Sequence, residues 1–104
     1  GQGYVIDPHT AVAYAAYRKY AARTGDAHKN VVISTASPFK FTEAVCRAID
    51  PKYAGEDAFK LIRVLEDLSG TPAPGPISEL ESLPVLHELV CGPDEMAEVV
   101  AEIL

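Results

Sequence analysis

No run of apolar residues in this 104-residue chain approaches the ~20 needed to span a bilayer, so no membrane-spanning helix is expected. Nor does the chain open on a basic segment followed by an apolar one, the pattern of a secretory leader, and the expected setting is the cytoplasm. Cysteine is scarce: Cys46 and Cys91 form no C-x-x-C pair and no metal-ligand spacing, which argues against a metal site. So distant a pair in a core-forming chain fits a reducing compartment, although the sequence is also compatible with a disulfide between them. Positive charge is in short supply. Nine Lys and Arg stand against fifteen Asp and Glu, leaving a net charge of −6, and a chain that gripped nucleic-acid phosphates would need the opposite balance. Internal repeats and low-complexity segments are lacking, and the composition is that of an ordinary globular protein.

What is present reads mainly as helix. Asp7 is placed to cap, Pro8 suits a first helical position, and Val12, Ala13, Ala16, Tyr17 and Tyr20 recur at helical spacing before Gly25 ends the run. Ser37-Pro38 opens a second helix on Phe41, Val45, Ala48 and Ile49, ended by Asp50-Pro51. A third is predicted from Glu56 to Ser69, with Gly70 after it. The three prolines of Thr71–Pro76 make a stiff link, Ile77–Leu83 a short helix, and Met96, Val99, Val100 and Ile103 the apolar stripe of a last one. Against these, Asn30–Thr35 is a continuous apolar run without in–out alternation, the pattern of an interior parallel strand. Val85–Cys91 reads either as a second strand or as a loop.

An interior strand needs neighbours on both sides, and the chain offers one at most. The expected fold is therefore α/β: a helix-rich piece with one or two parallel strands and about five helices, whose remaining sheet lies in residues outside this sequence.

Chemistry concentrates at two helix starts. In Ser34-Thr35-Ala36-Ser37-Pro38-Phe39-Lys40-Phe41, three hydroxyls stand beside the free N–H groups of a helix N-terminus, where open α/β sheets bind ligands, and Lys40 adds a positive charge one turn in. The plainer reading is that Ser37 caps, Thr35 satisfies backbone and Lys40 is solvated. In Asp7-Pro8-His9-Thr10, an acid and a histidine suggest proton transfer, but an efficient helix start explains the same residues. His28 and His87 have no partner at ligand spacing. Tyr14, Tyr17 and Tyr20 fit amphipathic packing without a cofactor-stacking role.

Taken together, Tyr4-Val5-Ile6-Asp7-Pro8-His9-Thr10-Ala11-Val12-Ala13 and, some twenty residues on, Val32-Ile33-Ser34-Thr35-Ala36-Ser37-Pro38-Phe39-Lys40-Phe41 resemble the C-terminal region of threonine synthases. The likeness is close from Gly3 to Ile49 and general from Pro51 onward. It implies a piece of a two-domain pyridoxal-phosphate enzyme of the tryptophan-synthase-β type, with residues 1–50 in the large cofactor-binding α/β domain and 51–104 a C-terminal helical extension. The family converts O-phosphohomoserine and water to threonine and phosphate, with the cofactor as electron sink.

In such enzymes the pyridine nitrogen meets a Ser or Thr hydroxyl, and the matching residue here is Thr35, with Ser34 as the alternative. Ser37 and Lys40 are the candidates for contact with substrate phosphate. The Schiff-base lysine of the family belongs to an earlier Pro-Thr-x-x-Phe-Lys-Asp-like motif. Phe39-Lys40-Phe41 echoes it without the Asp, so no catalytic residue is assigned, and the lysine is expected in a missing N-terminal part. The isolated chain is then expected to be inactive and to self-associate through an exposed apolar face. The alternative is a stand-alone small α/β module that binds a phosphorylated metabolite or a protein partner.

Overall fold

The computed structural model describes residues 3–104. Helix α1 runs Pro8–Thr24, and the Asp7 side chain accepts from the backbone N–H groups of His9 and Thr10. Pro8 sits in the first turn, where its missing N–H would have had no helical partner. The helix stops at Gly25, whose φ of 72° lies in the left-handed region and whose N–H returns to the Ala21 carbonyl. Similar local rules set the next elements. The Ser37 hydroxyl caps a 3-10 turn, Pro38–Phe41, that leads into α2, Thr42–Ile49. Asp57 caps α3, Ala58–Ser69, and Gly70 closes it at a φ of 63°.

The short helical stretch expected after the prolines is split into α4, Gly75–Ser78, and a 3-10 turn, Leu80–Ser82. A final turn, Pro93–Glu95, precedes α5, Met96–Ile103, and there the Glu95 carboxylate accepts from the Gly92 N–H at 2.7 Å.

The core lies between α2 and α3 and is small. Phe39, Val45, Cys46, Leu61 and Leu65 are buried, and Val5, Phe41, Tyr53, Ile62, Val64, Ala73 and Ile77 pack around them. It draws on residues from both sides of Asp50. Leu61 and Leu65 stand one turn apart on α3, fully buried, each contributing ~1.5–3 kcal/mol by leaving water. The Cys46 Sγ lies 3.8 Å from the Leu61 carbonyl, and burial pushes its thiol pKa up; Cys46 and Cys91 are both free. From the same helix, Glu66 reaches out to accept from the Ala73 N–H at 2.8 Å. That bond ties the proline-rich segment to α3, so it is a fixed wall.

Much of the chain stands away from this core. The radius of gyration is 18.3 Å, where a compact domain of 100 residues would have about 13 Å. The accessible surface of 8443 Å² likewise exceeds the roughly 5,700 Å² typical of a folded monomer of this mass. On α1, Val12, Tyr14 and Tyr20 are exposed; on α5, so are Met96, Val100 and Ile103.

The expected α/β fold does not form. Helices hold 61% of the described residues and none of those residues joins a β-ladder, so the fold is all-α. The parallel strand read from Asn30–Thr35, and the second one considered at Val85–Cys91, are both absent among the described residues. Val31 and Ile33 are 89% and 77% exposed, and among the described residues no backbone hydrogen bond joins residues 30–36 to another segment. An apolar run records what a segment gains from burial. It carries no information on whether a second backbone lies within hydrogen-bonding distance, and a strand requires one. No helix among the described residues is long and apolar enough to cross a membrane.

Candidate functional site

The two helix starts that stood out in the sequence meet in space. Asp7 is 1% exposed, and its carboxylate is the centre of a polar cluster. One oxygen, Oδ1, accepts from the His9 N–H at 2.9 Å and the Thr10 N–H at 3.3 Å, with His9 Nδ1 at 3.2 Å. The other, Oδ2, accepts from the Thr10 hydroxyl and from the Ser34 hydroxyl, the latter at 3.3 Å across 27 residues of sequence. Thr10 Oγ1 and Ser34 Oγ are themselves 3.0 Å apart.

These donors hold the Asp7 pKa at about 2, below the ordinary 3.8, with the Thr10 hydroxyl the largest cause and burial opposing it. His9 points outward and packs edge-on to Phe41, ring centres 5.0 Å apart. Asp7 therefore works as a cap and as an anchor for the segment that carries Ser34.

Beyond Ser34 the chain turns into the Ser37 cap, and this turn forms one side of an open cavity of about 380 Å³. Ser34, Thr35, Ala36 and Ser37 supply the polar edge, and Tyr4, Val5, Pro38 and Phe39 the apolar floor. The opposite wall is Ser69, Thr71, Pro72 and Pro74, held by the Glu66–Ala73 hydrogen bond. Of the four residues singled out from sequence, the structure brings Ser34, Thr35 and Ser37 to this one cavity. Lys40 is exposed and takes no part in the lining.

The far wall was missed in the sequence. Three prolines announce stiffness, but only the Glu66 contact, seven residues back, tells where the stiff segment lies.

The lining suits one kind of ligand edge. Apolar side chains match the faces of a flat heteroaromatic ring, and hydroxyls match a ring nitrogen that needs a donor. None of the residues lining the cavity is basic or acidic, so a phosphate finds no counter-charge within it. No group of three or more His, Cys, Asp or Glu that could hold a metal occurs among the described residues. A second groove of about 440 Å³ runs between Tyr4–Ala11 and α2, lined by apolar residues such as Ile6, Ala44, Val45 and Ile49.

Fold and site together define a helical domain with a hydroxyl-edged turn, fixed from behind by a buried carboxylate, on one side of an open cleft. The family model for the C-terminal region of threonine synthase matches residues 10–88, and the chain belongs to that family. Neither a curated protein nor a solved structure matches it.

Proposed function

We propose that this chain is the C-terminal part of a pyridoxal-phosphate-dependent threonine synthase, a cytoplasmic lyase that converts O-phosphohomoserine and water to threonine and phosphate. The observation that carries the reading is the convergence of Ser34, Thr35 and Ser37 on one uncharged, apolar-floored cavity, in a chain of this family. When bound, the cofactor supplies the electron sink for proton loss next to the amino group and for departure of phosphate.

The chain's own share is narrower. Thr35, or Ser34 beside it, donates a hydrogen bond to the ring nitrogen. Val5, Pro38 and Phe39 would pack against the ring, and Ser37 is the lining residue left to meet a substrate phosphate, with Lys40 exposed outside the cavity. A hydroxyl leaves the ring nitrogen uncharged, whereas a carboxylate would favour its protonation. In the same reading the residues that bind the cofactor covalently and hold its phosphate lie in the rest of the enzyme. The 104-residue chain alone then turns nothing over and self-associates through its exposed apolar helix faces.

The test is a comparison of the complete enzyme with the chain alone. In the complete enzyme, Thr35→Val lowers turnover of O-phosphohomoserine by about tenfold or more, the loss of one hydrogen bond formed to a developing charge. The chain alone shows no turnover, and its thermal midpoint does not move with pyridoxal phosphate. A saturable rise in that midpoint, abolished by Thr35→Val, would instead make the chain a stand-alone binding module.

A further inference from the structure

The Asp7 cluster decides between the two hydroxyls that the sequence left open, if each proton is followed to its acceptor. A serine or threonine hydroxyl has one proton to give. The Asp7 carboxylate is ionised and accepts only. Thr10 has its carboxylate contact and Ser34 Oγ, 3.0 Å away, as partners. Ser34 has Asp7 Oδ2 at 3.3 Å, Thr10 Oγ1 at 3.0 Å and the Ala36 carbonyl at 3.4 Å. All of these partners are acceptors inside the protein, and the charge-assisted route to Asp7 is the strongest of them for the Ser34 proton.

Thr35 is placed differently. Both residues are exposed and line the cavity, but the Thr35 hydroxyl, unlike that of Ser34, makes no hydrogen bond among the described residues. Anchoring the neighbouring residue also fixes the backbone from which Thr35 projects.

We infer that Asp7 and Thr10 are positioning residues: they engage the Ser34 hydroxyl and pin its turn, so that of the two neighbouring hydroxyls Thr35, and not Ser34, is free to donate to the ring nitrogen. The inference rests on the reading of the cavity as the cofactor site, and it assigns Ser34 the role of anchor. It also explains why a helix cap is buried and shared across 27 residues, when capping needs only the first turn.

The experiment uses the complete, cofactor-loaded enzyme and reads two quantities besides activity: the absorption maximum of the bound cofactor and its dissociation constant. Thr35→Val is expected to shift the absorption maximum and to weaken binding about tenfold, as the loss of one direct hydrogen bond predicts. Ser34→Ala and Thr10→Val each weaken binding a few-fold, with a smaller shift. Combined, they do no more than either alone, because both release the same anchor. Thr10→Ser keeps the hydroxyl and restores both readouts, which excludes a mere defect in folding.

Ser34→Ala shifting the band as far as expected for Thr35→Val, with Thr35→Val silent, would overturn the assignment and leave the cavity as the cofactor site. Strictly additive losses from Thr10→Val and Ser34→Ala would overturn the shared anchor. Wild-type band and affinity in both Thr35→Val and Ser34→Ala would remove the cofactor reading itself.

Discussion

Helices α1 and α3 obey the same rules at their ends and have opposite fates in the middle. Each starts on an aspartate that accepts from two backbone N–H groups, and each stops on a glycine in the left-handed region. Yet α3, with 12 residues, buries Leu61 and Leu65 completely, while α1, with 17, buries only Thr10. Capping thus decides where a helix begins and ends, and says nothing of what its face will meet. α3 is held by apolar contact along its length; α1 is held at one end, by hydrogen bonds to a carboxylate.

The contrast is most sharply tested by trimming one apolar residue on each helix. Leu61→Ala should cost about 2–5 kcal/mol in a denaturant titration, because the cavity it leaves is closed on all sides. Val12→Ala, at 70% exposure, should stay within about 0.5 kcal/mol. Equal losses would mean that α1 has a packed face not seen here.

The two terminal glycines make a finer comparison. Gly25 and Gly70 have φ values of 72° and 63°, and nothing lies within 4 Å of a Cβ added to either. The local strain of an alanine is therefore the same, ~1 kcal/mol. Gly70→Ala should lower the cooperative unfolding midpoint, whereas Gly25→Ala should fray the end of α1, visible as faster amide exchange there, with the midpoint unchanged.

The smallest effect expected is one of pH. The Asp7 pKa is lowered to about 2 from 3.8, so the stability it lends is complete above about pH 4 and is lost as the pH falls through about 2. Amide exchange in the first turn of α1 should quicken over that range while α3 stays protected. Asp7→Asn should remove this dependence, and its persistence in that variant would place the acid sensitivity elsewhere.

Which parts of this were legible in the sequence follows from the range of the forces involved. Asp7-Pro8, Ser37-Pro38, Gly25 and Gly70 act within one turn, and the helix ends fall where those residues put them. Val31–Ile33 and the stripe from Val12 to Tyr20 were equally plain as apolar patterns, but burial requires a second surface, and a pattern does not name one. The expected strand failed for that reason. The site divides in the same way. Ser34, Thr35 and Ser37 lie along one turn and stay together, whereas the wall at Ser69–Pro74 and the bond from Asp7 to Ser34 join residues far apart in sequence.

Phe39 belongs to two structures at once. It is 5% exposed in the core beside Val45 and Leu65, and it forms part of the cavity floor. Its N–H donates to the Ser37 hydroxyl, and its carbonyl accepts from Thr42 Oγ1 at 2.8 Å, so its backbone joins the turn to α2. Folding and the shape of the cleft are accordingly not separable traits. A substitution that loosens the α2–α3 packing should reshape the cleft through this ring, so the stability of the core and the form of the cleft change together.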